Sequence, residues 1–112
     1  MRNRQLWQGE EREQFETLLA DLDPSRYVSV VRMSKALGRT EQEMSARLEL
    51  AVAWYREQAV RAATSCPNNY AADVDTNVRR AATVMEAQQR LRRRNPNRPL
   101  MAEALALRLA RP

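Results

Sequence analysis

The segment Leu37-Gly38-Arg39-Thr40-Glu41-Gln42-Glu43 constrains this chain more than any other, because it ends one helix and starts the next within a few residues. Glycine supplies the left-handed residue that commonly terminates a helix, and a threonine followed three positions later by glutamate closes a reciprocal capping box. Beyond Thr40 no breaker occurs before Thr64-Ser65-Cys66-Pro67. One unusually long helix is therefore predicted.

The neighbouring segments read as helices too. Two glycines and five prolines interrupt 112 residues, and β-branched aromatic runs are missing, so the chain is expected to be all-α. Phe15, Leu18, Leu19 and Leu22 recur at helical spacing from Glu10 to Leu22, with Glu10, Glu11 and Glu13 in the dipole-favoured first turn. Asp23-Pro24-Ser25 ends that helix. A second runs from Val28, or from Pro24 with Asp23 as its cap, to Leu37, with Val30, Met33 and Leu37 inward. On the long third helix Met44, Leu48, Ala51 and Tyr55 line one face while Leu50 and Trp54 point away from it, so one neighbouring layer cannot cover both.

A fourth helix from Tyr70 to Arg93, with Val74, Val78, Ala81 and Met85 in register, is the expected cover. Asn95-Pro96-Asn97-Arg98-Pro99 breaks the chain before a last helix, Leu100 to Ala110. That helix carries Leu100, Ala104 and Leu107 on one side and Leu105 and Leu109 on another. It can dock on its own chain or on a second copy. The expected architecture is a single all-α domain over 1–112, with a three-helix core at 6–56 and a C-terminal helical extension at 68–112 completing one compact bundle.

Composition removes several function classes. Cys66 is the only cysteine and histidine is absent, which leaves no intrachain disulfide and no zinc site of the usual ligand types. Carboxylate pairs such as Glu10 with Glu13 or Asp73 with Asp75 sit at helix starts or on solvated faces, and Cys66 has no imidazole to activate it. No catalytic residue, metal or cofactor is expected, and the chain is not read as an enzyme. Met1 to Trp7 has positive charge but no apolar run behind it, and no segment approaches the roughly 18 apolar residues of a membrane span. A cytoplasmic location without a membrane partner is the expectation.

The net charge of +5 is unevenly placed: residues 1–65 hold ten basic and ten acidic side chains, residues 66–112 nine and four. The densest feature is Arg90-Leu91-Arg92-Arg93-Arg94 with Arg98 shortly after. Clustered arginines neutralise phosphates without reading sequence, although cations at a helix C-terminus are also favoured by its dipole. A second excess, Arg26, Arg32, Lys35, Arg39 and Arg47 against two glutamates, surrounds the turn.

Trp7 with Glu10-Glu11, the apolar set Phe15, Leu18 and Leu19, and the turn Leu37-Gly38-Arg39-Thr40 together resemble the Myb/SANT branch of homeodomain-like helix-turn-helix domains over residues 6–56. Val30 and Leu48 stand where that family keeps further tryptophans, while Arg47 matches its third-helix arginine. The resemblance implies a third helix able to enter the major groove. The positions that would read bases, however, are Ser45 and Ala46, neither of which makes bidentate base contacts.

The chain is accordingly expected to be a small nucleic-acid-binding accessory or regulatory protein, with DNA favoured over RNA and a nucleoid location if DNA is bound. Arg32, Lys35, Arg39, Arg47, Arg90, Arg92, Arg93, Arg94 and Arg98 would hold the phosphate backbone with little base readout. The alternative is a protein-interaction module or homodimer that docks through Leu50, Trp54, Leu105 and Leu109.

Overall fold

Thr40 Oγ1 accepts a hydrogen bond from the Glu43 backbone N–H (3.1 Å), and Glu43 Oε1 accepts one from the Thr40 N–H (3.4 Å). The capping box is formed, and the long helix starts where it directs. The computed structural model describes residues 10–23, 25–38, 40–65, 70–93 and 97–111. They form five helices and no strand: α1 (Glu10–Asp21), α2 (Tyr27–Ala36), α3 (Glu41–Ser65), α4 (Tyr70–Arg93) and α5 (Arg98–Ala110). None of these helices is long and apolar enough to cross a membrane.

The turn before α2 is built by short polar side chains. Asp23 Oδ1 accepts from the N–H and the hydroxyl of Ser25 (2.9 and 2.8 Å), and these bonds hold its carboxyl below the usual carboxylate range. Buried Ser29 accepts from the Asp23 N–H (3.0 Å) and directs its hydroxyl at the carbonyls of Arg26 and Asp23. These bonds let α2 begin at Tyr27 although its early residues include the weak helix formers Val28, Val30 and Val31.

α1 packs on α2 and α3, α3 and α4 pack along each other, and α5 lies against α2 and α4. Four residues separate α3 from α4, so the two run antiparallel, each close to 37 Å long at 1.5 Å per residue. A single core joins all five helices: Phe15 and Leu19 from α1, Val30 and Met33 from α2, Met44, Leu48 and Tyr55 from α3, Val84 and Leu91 from α4, and Leu105 and Leu109 from α5.

Two expectations, one about a face and one about a helix start, are corrected. Val78 and Met85 are exposed; α4 keeps Ala81 inward, as expected, but beside Val84, Ala87 and Leu91. Its seam against α3 uses small residues, Ala81 and Ala87 facing a helix that buries Ala51, which lets long helices approach closely with few large side chains. Secondly, α5 begins at Arg98 rather than Leu100. Asn97 caps it, its side chain accepting from the Leu100 N–H (3.1 Å), and Pro99 falls in the first turn, where a missing N–H costs nothing.

Tyr55 is the largest fully buried side chain among the described residues. Its ring meets Trp54 edge-on at 5.2 Å and lies 5.9 Å beneath the Arg80 guanidinium, whose Nε donates to the Leu109 carbonyl at 3.0 Å. Among the described residues the Tyr55 hydroxyl has no hydrogen-bond partner. Burial pushes it up to about 12 from an ordinary value of 10.0, against the opposing charge of Arg80. Above the ordinary value the unfolded chain loses this proton while the folded chain keeps it. Stability that is complete below pH 10 is thus lost as pH rises towards 12, by about 2–3 kcal/mol. Tyr55→Phe is expected to abolish that alkaline loss and, by deleting an unpartnered hydroxyl, to add about 1 kcal/mol at neutral pH. Urea denaturation of both chains near neutral pH and at about pH 11 measures the two effects.

Candidate nucleic-acid interface

Some of the cations are ion-paired and others are not. Along the helices several arginines meet a carboxylate one turn away: Arg12 with Glu16 (3.3 Å), Arg61 with Glu57 (2.7 Å), Arg79 with Asp75 (3.0 Å) and Arg90 with Glu86 (3.2 Å). Arg108 reaches the same Glu86 oxygen from α5 (3.1 Å), and its hydrogen bond holds the Glu86 carboxyl below the usual range. Exposed Arg32, Lys35, Arg92 and Arg93 form no ion pair with any described residue. α2 contains no acidic residue at all.

Helix order sets Arg92, Arg93 and Lys35 towards one end of the α3–α4 hairpin, with Arg32 about one turn earlier on α2. α4 returns antiparallel along α3, so Arg92 and Arg93 finish level with the start of α3, and Lys35 lies five residues before Thr40 at that same start. Arg98 opens α5 just beyond and is half-buried. Arg47 points elsewhere: its Nη1 is 3.8 Å from Glu43 Oε1, and its side chain is only 21% exposed. It lines a cleft of about 300 Å³ between α1, α2 and α3, with Glu11, Gln14, Phe15, Leu18 and Ala36. Arg90 is already engaged by Glu86. Arg39 and Arg94, with Trp7 and Cys66, lie outside the described residues.

The outer surface of α3 is different in character. Glu41, Gln42, Ser45, Ala46 and Glu49 form a shallow depression carrying two carboxylates and no cation. This is the surface a groove-reading helix would offer, and its sign is wrong for phosphate.

The residues expected to meet a protein partner are also redistributed. Leu105 and Leu109 are 4% and 1% exposed, covered because α5 docks on α2 and α4 of its own chain. They leave no surface for a second protein in this fold. Leu50 and Trp54 are half-buried against the core. The other side of α5 is the open one, with Leu100 and Leu107 exposed at 62% and 45% and exposed Ala104 between them.

Sequence reading passed over Tyr27. It is 71% exposed at the first position of α2, next to exposed Val28 and Arg26. Its exposure follows from the turn through Asp23, Ser25 and Ser29, which no local apolar pattern specifies. Among the described residues no group of three or more His, Cys, Asp or Glu is placed to hold a metal ion. Comparisons with family models, with curated proteins and with solved structures give no match.

Proposed function

We propose that this chain is a small nucleic-acid-binding accessory protein that grips the phosphate backbone and reads little or no sequence. The observation that carries the reading is that Arg32 and Lys35 on α2 and Arg92 and Arg93 in the last turn of α4 are all exposed and without ion pairs among the described residues. Arg12, Arg61 and Arg79, by contrast, are each neutralised by a carboxylate one helical turn away. Uncompensated cations release counterions when they meet phosphate, and that release drives non-specific association. The capped turn after α2 and the Myb/SANT-like pattern of the first three helices support the same reading. Weak base readout follows from Ser45 and Ala46.

Fluorescence anisotropy with duplex DNA, single-stranded DNA and RNA probes at about 50 mM salt tests this. Each phosphate contact contributes about 0.7–0.9 to the salt slope, so four cations give a slope near −3. Changing all four residues to Glu is expected to abolish binding while leaving the helical signal intact. Absence of binding to every probe overturns the proposal.

A second reading, a helical homodimer, is favoured by the exposed stripe of Leu100, Ala104 and Leu107. Light scattering on the same samples decides for it if the chain is a dimer that ignores nucleic acid.

A further inference from the structure

We infer that the ligand is a single strand rather than a duplex, and that the outer face of α2 holds it, with Tyr27 stacking on an unpaired base while Arg32 and Lys35 take the adjoining phosphates. This inference rests on the nucleic-acid reading above and narrows it. α2 buries Ser29, Val30 and Met33 and exposes Tyr27, Val28, Arg32 and Lys35. The exposed set begins with an aromatic and continues with two unpaired cations. From Tyr27 the helix rises about 7.5 Å to Arg32 and about 12 Å to Lys35, with the two cations about 140° and 80° further round the axis, so the wide exposed arc carries a ring at one edge and two charges beyond it.

A duplex has little use for that order. Its bases are already stacked, leaving a protein only phosphates and groove edges, and the helix expected to enter a groove carries Glu41 and Glu49 outward. A single strand presents π-faces that any aromatic ring can accept, and an electrostatic track beside such a ring is the usual means of holding it without sequence preference. The acidic depression on α3 then acts as a border that keeps the strand on α2. The absence of any carboxylate on α2 gives the face its complementarity to a polyanion.

The test compares a thymine-rich oligonucleotide with a duplex of the same length at equal salt. Single-strand binding is expected to be at least about tenfold tighter. Tyr27→Ala should weaken single-strand binding about 5- to 100-fold, leave duplex binding unchanged, and leave the melting temperature unchanged because the ring is exposed. Tyr27→Phe should bind as the parent chain does, and the fluorescence of Tyr27→Trp should be quenched when the strand is added. Equal or tighter duplex binding, or a Tyr27→Ala chain that binds single strands normally, overturns this inference while leaving backbone binding intact. Loss of both together would instead show as no binding to any probe. Preference for polyglutamate over an oligonucleotide of equal charge would also overturn it, giving the face to an acidic protein.

Discussion

Leu109→Asp is expected to unfold the chain, whereas Leu107→Asp, two residues earlier on the same helix, should leave its melting temperature nearly unchanged. Leu109 is 1% exposed and Leu107 45% exposed. Truncating a buried leucine costs about 2–5 kcal/mol, and placing an unpaired carboxylate in its position adds several more. A domain of this size has about 5–15 kcal/mol in all, so the first variant exhausts most or all of it. The second changes a side chain that already faces water, for about 0.5 kcal/mol or less. Circular dichroism melts of the two variants read the contrast. If Leu107→Asp were the one to unfold, α5 would have to dock through its opposite face. Leu109→Asp should also release Arg80, whose guanidinium bridges the Leu109 carbonyl and the Tyr55 ring, so loss of α5 loosens the α3–α4 seam as well.

That contrast also shows where sequence reading reached its limit. α5 has leucines at 100 and 107 on one side and at 105 and 109 on another, and either set satisfies helical spacing. Which set turns inward depends on where α2 and α4 stand, information that no local pattern carries. The same holds for α4, where Val78 and Met85 drew the predicted face towards themselves because they are large. The true seam runs through Ala81, Val84, Ala87 and Leu91, and alanines weigh little in a hydrophobic pattern although they permit close helix approach. By contrast, the bounds of α3 and α4 were legible from breakers and caps, which act locally. Of the proposed contacts, Arg32, Lys35, Arg92 and Arg93 follow from composition, but their lack of carboxylate partners is visible only once the helices are placed. Tyr27 gives no sequence signal of its own, since a tyrosine at a helix start is exposed or buried according to the turn before it.

Gly38→Val is expected to cost about 3–5 kcal/mol, the second large effect. Gly38 has φ +98°, a left-handed conformation that costs a residue with a Cβ about 1–2 kcal/mol. A Cβ there would lie 2.5 Å from Arg47 Nη1 and 2.8 Å from Glu43 Cβ. The guanidinium can swing aside, whereas Glu43 Cβ is fixed to the first turn of α3. Relief therefore has to come from moving that turn, which breaks the reciprocal bonds between Thr40 and Glu43 and forfeits a cap worth about 1 kcal/mol. Overpacking supplies another 1 kcal/mol or more.

Gly38→Asn separates the causes. Asparagine tolerates the left-handed region, so its cost should fall below that of Gly38→Ala by the conformational share alone. Equal losses for the two in urea denaturation would assign the effect to the Glu43 contact, and losses below about 0.5 kcal/mol in both would mean that the turn relaxes freely. The distinction reaches the proposed interface, because the Gly38 N–H donates to the Lys35 carbonyl at 3.4 Å. A turn displaced by Glu43 would shift the end of α2, and with it Lys35, relative to Arg92 and Arg93. Variants that retain the fold should then show a reduced salt slope of binding in proportion to the stability they lose.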